Sequence, residues 1–347
     1  MPSTRPGPDD VCARRDSREL PALDDVLAGA CVVTLPLRLR FRGVTEREAM
    51  LVRGPQGWGE FAPFVEYGDE EAARWLAAAL EAAWQGFPEP VRDCVPVNAT
   101  VPAVPAEQVA AVLSRYDGCE TVKVKVAERG QTLRDDVDRL AAVREAAPAA
   151  RLRIDANGAW SLTDAQHAVT ALAPFGLEYV EQPCRDVDDL ARLRLALARA
   201  GVDVPIAADE SIRRAADPLE VARREAADII VVKVAPLGGV RAALDIVEAV
   251  GLPAVVSSAI DTSVGIRAGV ALAAALPALD HACGLATVEL LGDDVTAAPL
   301  VPVGGVLPIR DITPDPAALE RLIAAPDRQR WWRDRLERAY ALLRTGP

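Results

Sequence analysis

The sequence predicts an α/β fold: a closed barrel of parallel strands with helices outside, preceded by a small α+β unit. Two observations carry that prediction. From about residue 95 onward, short apolar strands alternate with helical patterns: VPVNAT, TVKVKV, RLRIDA, LEYVEQ, PIAADE, IIVVKV and PAVVSS. The middle strands each end on a charged residue, Lys125, Asp155, Glu181, Asp209 and Lys233, at intervals of roughly 24–30 residues, one βα unit each. A closed barrel brings all carboxyl ends of its strands to one mouth, so these five residues can share a pocket, whereas an open sheet would string them out. No strand is followed by G-x-G-x-x-G or G-x-x-x-x-G-K-[ST], the phosphate loops of open-sheet folds.

The elements follow in order. Residues 1–20, MPSTRPGPDDVCARRDSREL, carry Pro, Asp and Arg without an apolar segment, so they are expected to be a disordered tail and neither signal peptide nor anchor. Residues 21–94 form the α+β unit. CVVTLPLRLRF, EREAMLVRG and GWGEFAPF read as hairpin strands with Gly-containing breaks, and DEEAARWLAAALEAAWQG reads as a helix with acids at its start and Gly86 at its end. Residues 95–305 form the barrel. Residues 306–347 read as a helical segment packing back on the α+β unit, with Trp331 and Trp332 as docking anchors.

Composition narrows the function. A chain of 347 residues that is 50% apolar buries a large core and fits roughly two domains. A net charge of −12 and a pI near 4.9 argue against a nucleic-acid surface and against an anionic membrane, which leaves a small-molecule partner. The longest apolar stretches, such as AGVALAAALPAL (268–279), are too short to span a bilayer. Cys12, Cys31, Cys94, Cys119, Cys184 and Cys283 show no C-x-x-C spacing, which suggests a reducing, cytoplasmic setting.

The charged strand ends carry the chemistry. In TVKVKV, Lys123 and Lys125 lie one residue apart on the same strand face, opposite the valines; an edge strand with lysines in water is the bland alternative. Asp155, Glu181 and Asp209 at one register would bring three carboxylates together, which is costly unless a cation neutralises them. Hard oxygen ligands without His or Cys favour Mg²⁺. Lys125 and Lys233, on the strands before and after the trio, would then flank the metal. An ammonium beside another cation and away from water has a lowered pKa, so Lys123 is placed to make Lys125 a base near neutral pH. His167 and His281 lie at no strand end of the constellation, which argues against a Ser-His-Asp triad or a His-ligated zinc.

VKVKV (122–126), RIDANGAW (153–160), YVEQP (179–183), IAADES (206–211) and VVKVAPLGG (231–239) together resemble the enolase superfamily, in its muconate-lactonizing-enzyme-like branch. Within that branch the chain, including GWGEFAPFVEYGDEEAARWLAAALEAAW (57–84), looks like the o-succinylbenzoate synthases of actinobacterial type. The resemblance implies a (β/α)7β modified TIM barrel with an N-terminal α+β capping domain. It implies Mg²⁺, or Mn²⁺ in its place, held by Asp155, Glu181 and Asp209. Lys125 would remove the proton α to a metal-bound carboxylate, and Lys233 would stabilise the enediolate from the other face. The implied reaction is syn-dehydration of a succinyl-hydroxy-cyclohexadiene carboxylate to 2-succinylbenzoate, a menaquinone precursor, with Lys125 returning its proton to the departing hydroxyl.

Other positions carry two readings each. Asn157 supports the metal's surroundings or forms a turn before Gly158, and Glu210 hydrogen-bonds within the constellation or begins a helix. By the resemblance, Ser257 and Ser258 contact the succinyl end of the substrate; the alternative is a cap on the following helix. Residues Phe61–Gly68 are expected to close over the mouth. The same lysine pair serves racemisation, so an N-acylamino-acid racemase or dipeptide epimerase is the alternative activity, with a non-catalytic metabolite-binding barrel behind it. The sequence sets no oligomeric state.

Overall fold

A computed structural model of the chain describes residues 20–41, 43–213 and 217–345; apart from Leu20, the expected tail lies outside the described residues. Helix α1 (Leu23–Ala28) leads into an antiparallel sheet of β1 (Cys31–Phe41), β2 (Val44–Gly54) and β3 (Gly57–Phe61), in that order. Helix α2 (Asp69–Leu80) opens on three acids, which suit the positive end of its dipole, and continues through one π-helical turn, Glu81–Gln85. It buries Ala72, Ala73, Trp75, Leu76 and Ala79 between the sheet and neighbouring helices. The approach is close enough to require glycine: a Cβ on Gly59 would stand 2.1 Å from the Ala79 carbonyl oxygen.

The second sheet has seven parallel strands in chain order. They are β5 (Ala99–Val101), β6 (Thr121–Lys125), β7 (Arg151–Asp155), β8 (Leu177–Glu181), β9 (Ile206–Ala208), β10 (Ile229–Val232) and β11 (Ala254–Val256). The eighth position is reduced to two bridges, Cys283 to Val97 on the first strand's approach and Gly284 to Ser257 beyond the last, and these close the ring. The fold is therefore an α/β modified barrel of the (β/α)7β kind with an N-terminal capping unit. Before the ring, β4 (Cys94–Pro96) pairs antiparallel with β12 (Val306–Pro308).

Tyr179, Ala207, Ile229, Val231 and Val255 form an apolar cluster of their own inside the barrel, while Leu152, Ile154, Val180, Val232 and Val256 join the larger core outside it. The division follows the two-residue period of a strand, except in β8. There Leu152 pairs with Leu177 but Arg153 pairs with Tyr179, so Glu178 is an extra residue and a bulge. The bulge turns Leu177 outward and Tyr179 and Glu181 inward.

Outside the ring, α4 (Leu133–Ala146, following the short α3, Val109–Leu113) starts at a capping box between Thr132 and Asp135. Helix α5 (Leu162–Leu172) starts at Ser161, whose hydroxyl accepts the Asp164 amide. Helix α6 (Val187–Arg199) precedes β9. The one-turn α7 (Glu210–Arg213) and α8 (Glu220–Arg223) follow it. After β10 come α9 (Val234–Leu237) and α10 (Val240–Val250), and after β11 comes α11 (Ser263–Ala275).

Two carboxylates of the N-terminal unit seat it on the barrel. Glu60 accepts bonds from the Thr262 amide (3.2 Å), the Thr262 hydroxyl and the Gly265 amide (3.1 Å) at the start of α11. Glu81 accepts the Val240 and Arg241 amides at the start of α10. Helices α12 (Pro316–Leu322) and α13 (Pro326–Thr345) return to the N-terminal unit. There Trp332 is fully buried, edge-on to Phe61 at 5.6 Å, and donates to Glu48 at 3.0 Å. Among the described residues no helix is long and apolar enough to cross a membrane.

Candidate functional site

Strand register assembles the site. Lys125 pairs with Asp155 and Asp155 with Glu181 across three neighbouring strands, so their side chains stand in one row at the mouth. Asp209 and Lys233 continue the row just past β9 and β10. The three carboxylates are at most 1% exposed. Lys123, one layer deeper, bridges two of them, with Nζ 3.2 Å from Glu181 Oε2 and 3.5 Å from Asp155 Oδ2. Lys125 donates to Asp155 and, at 2.7 Å, to Asn157 Oδ1. From the other end of the row Lys233 donates to Asp209 Oδ2 at 2.5 Å.

Burial works against every charge here, and the neighbours decide the outcome. For Lys123, burial disfavours the ammonium, but Glu181 and Asp155 outweigh it and hold the pKa above its usual value. For Lys125, burial prevails over the attraction of Asp155, Lys123 adds to it, and the pKa falls. The two lysines thus shift in opposite directions. Glu181 is pushed up to about 7 by burial and by the negative charge of Asp155. Asp209 is held down at about 2, because Lys233 and Arg213 outweigh its burial.

Among the surrounding residues, Asn157 forms the expected turn and also bonds within the cluster. It sits in the left-handed region with φ 48° before Gly158, and it links Lys125 to Glu210, donating from Nδ2 to Glu210 Oε1 at 3.4 Å. Glu210 likewise opens α7 and bonds within the cluster. Ser257 and Ser258 line the cavity that holds Lys123, Lys125 and Lys233. They are not caps, since Thr262 caps α11; Ser258 donates to the Gly284 carbonyl at 2.8 Å.

The capping unit reaches the cavity beside the lysines through Phe41, whose ring centroid is 5.4 Å from Lys125 Nζ. None of Phe61–Gly68 lines that cavity among the described residues, and the segment approaches the row through the Tyr67 hydroxyl, which accepts from Arg213 at 3.2 Å. Its rings are spent on packing, Phe61 against Trp332 and Phe64 and Tyr67 against Trp75. His167 is exposed on α5, and His281 pairs with Glu178 at 2.8 Å, away from the row.

Three supporting residues escaped the sequence reading. Gln182 accepts the Asp209 amide at 2.9 Å and so sets where that carboxylate begins. Arg213 holds Asp209 Oδ1 at 3.1 Å; its signal was the four-residue spacing from Asp209 on a one-turn helix. Phe41 lies at the end of a hairpin strand and had no signal.

The donor set suits a divalent cation. Burial and the charge of Asp155 hold the Glu181 pKa up, a cost that a cation would relieve, and hard oxygen donors suit Mg²⁺. In this arrangement ammonium groups occupy the spaces among the carboxylates, and among the described residues no three acidic, His or Cys side chains are gathered tightly enough to hold an ion.

Comparison with known proteins agrees with this fold. Residues 106–314 match the family described as enolase C-terminal domain-like, and residues 32–83 match the enolase N-terminal domain-like family. An o-succinylbenzoate synthase of Mycolicibacterium smegmatis is 58% identical over 325 residues, 93% of this chain and 99% of that protein. One of Mycobacterium tuberculosis is 55% identical, covering 93% and 97%. Among solved structures, the muconate lactonizing enzyme from Pseudomonas putida superposes with a TM-score of 0.71 at 22% identity, covering 85% of this chain and 98% of its own. The L-Ala-D/L-Glu epimerase from Bacillus subtilis gives 0.69 at 25% identity, covering 81% and 95%. Matched along nearly its whole length, the chain belongs to the enolase superfamily, in the family of the o-succinylbenzoate synthases.

Proposed function

We infer that this protein catalyses the o-succinylbenzoate synthase reaction, a lyase step that removes water from 2-succinyl-6-hydroxy-2,4-cyclohexadiene-1-carboxylate to leave 2-succinylbenzoate. The observation that carries the reading is the identity of more than half its residues with synthases of that name along nearly the whole chain. The epimerase likeness is far weaker, at 25%.

The row of charges supplies the machinery. Asp155, Glu181 and Asp209 are the residues that would hold Mg²⁺. When bound, the ion supplies positive charge at the substrate carboxylate and so acidifies the neighbouring carbon. Lys125, whose pKa is lowered by burial and by the neighbouring Lys123, takes the α-proton. Lys233 on the opposite side donates hydrogen bonds to the negative charge that passes to the carboxylate oxygens. Lys125 then returns the proton to the departing hydroxyl, so carbon loses H and OH as one water and the ring becomes aromatic. Lys123 stays an ammonium and bridges Asp155 and Glu181, offsetting their mutual repulsion. Ser257 and Ser258 meet the succinyl end, and Asn157 and Glu210 orient Lys125. The product fits menaquinone synthesis, and the five described cysteines, all free, fit the cytoplasm.

The test is the Mg²⁺-dependent loss of the cyclohexadiene substrate's absorbance, with Lys125→Ala and an EDTA-treated sample alongside. Turnover that needs metal and disappears in the variant is the expected result. Folded, metal-loaded protein that leaves the diene untouched would overturn the reading.

A further inference from the structure

The carboxylate of Asp209 has two different neighbours. Oδ2 faces Lys233 at 2.5 Å, while Oδ1 accepts a bond from Arg213 Nε at 3.1 Å. The same guanidinium donates from Nη2 to Glu210 Oε1 at 2.5 Å and from Nη1 to the Tyr67 hydroxyl at 3.2 Å. Tyr67 belongs to the turn of the N-terminal unit that precedes α2. That turn is held from its far side by Arg335 of α13, which donates to the carbonyls of Pro63 (3.1 Å), Phe64 (2.8 Å) and Tyr67 (2.7 Å). A continuous line of bonds thus runs from the C-terminal helix through the turn and Arg213 to Asp209. Its members are buried: Arg335 is 1% exposed, Tyr67 7%, Arg213 2% and Asp209 fully enclosed.

A buried cation beside a carboxylate could serve charge balance alone, and a lysine would do that. Arg213 instead spends its rigid planar fork on three acceptors in three places: a strand end, a helix start and a turn of the other unit. We propose that Arg213 is a positioning residue that fixes Asp209 for the divalent cation and couples occupancy of that site to docking of the Pro63–Tyr67 turn. The proposal rests on the reading of Asp209 as a metal ligand. Because coupling is reciprocal, whatever loosens the turn weakens the metal, and the metal steadies the turn.

Charge and position have opposite effects, so the variants must separate them. Arg213→Met removes a positive charge, which eases cation binding, as well as the anchor. Tyr67→Phe and Arg213→Lys leave the charge in place and change only the geometry. Mg²⁺ binding is measured by titration calorimetry on the full-length, substrate-free protein, with hydrogen exchange of the 64–68 amides followed with and without Mg²⁺. The Tyr67 amide, bonded to the Phe64 carbonyl at 3.0 Å, is a built-in reporter.

The expected results are Mg²⁺ binding weaker by roughly three- to tenfold in Tyr67→Phe and by roughly ten- to a hundredfold in Arg213→Lys. Mg²⁺ also slows exchange across 64–68 in the parent and no longer does so in either variant. A purely structural role would lower thermal stability without touching this Mg²⁺-dependent difference. If the parent binds Mg²⁺ but both variants match its affinity, or if Mg²⁺ leaves exchange in the turn unmoved, the inference is overturned while the metal site stands. A parent that binds no Mg²⁺ overturns the ligand reading and the inference with it. Should Arg213→Lys fail to fold, Tyr67→Phe, which loses a single oxygen, decides alone.

Discussion

Replacing Glu81 by alanine removes a helix cap that the N-terminal unit places on the barrel. Helix α10 begins after Gly239, which has no side chain to cap it, and a Cβ there would stand 2.2 Å from the Glu81 carboxylate. Glu81 fills that role from outside, accepting the amides of Val240 and Arg241 and the Arg241 guanidinium at 2.8 Å. Val240 is fully buried, so its amide finds no water when the carboxylate is gone. A buried donor left unpaired costs about 1–3 kcal/mol. The second amide and the loss of a negative charge at the positive end of a helix add about 1 kcal/mol more, while Arg241, over a third exposed, recovers solvent and adds little.

The sum is about 3 kcal/mol. In a chain of this size each kcal/mol moves the melting temperature by about 2 °C, so Glu81→Ala is expected to melt about 6 °C lower by circular dichroism. Glu81→Gln keeps one acceptor and is expected to fall about halfway. A Glu81→Ala protein that melts within about 1 °C of the parent would refute the argument that this carboxylate caps α10.

Other perturbations test separate parts of the structure. Ile260, a β-branched residue 2% exposed beside the cavity, holds φ at 62°, so Ile260→Gly should exceed Ile260→Ala in stability by about 1 kcal/mol, the reverse of the ordinary order. Urea midpoints decide it, and an alanine variant at least as stable as the glycine one removes the strain. Glu60 is pushed up to about 8, first by burial and then by the charge of Asp261. With a folded pKa above its ordinary 4.5, Glu60 contributes stability that is complete below about pH 4.5 and is lost as pH rises through about 8. Glu60→Gln should therefore flatten the fall of the melting temperature between pH 5 and 8, and an unchanged profile would refute this. Lys233→Ala should lower kcat by at least about a hundredfold with Mg²⁺ affinity retained, and normal turnover in that variant would remove Lys233 from the chemistry.

Much of this molecule is legible along the chain because a strand has a two-residue period and a βα unit a nearly constant length. Those two regularities are enough to place Lys125, Asp155, Glu181, Asp209 and Lys233 at one barrel mouth and Lys123 on the same face as Lys125. The pattern of a strand also predicts that Leu177, Tyr179 and Glu181 share a face, and there it misleads. The bulge at Glu178, where Arg153 and His281 both bond, turns Leu177 outward. Partners from other strands and loops decide such a bulge, so no local pattern records it. The barrel's closure through Cys283 and Gly284 is similarly invisible, since two bridges are too short for an apolar alternation.

Phe41, Tyr67 and Arg213 belong to the same category. Docking of the N-terminal unit brings Phe41 to Lys125 and Tyr67 to Arg213, while Arg213 meets Asp209 from the one-turn helix that follows it. The sequence by itself determined the chemistry available at the mouth, because residue type and strand parity are local properties. The tertiary structure decided how that chemistry is held, because its partners come from other strands and units, as in Gln182 to Asp209, and in bonds such as Arg213 to Tyr67 and Glu81 to Val240 they lie more than a hundred positions apart.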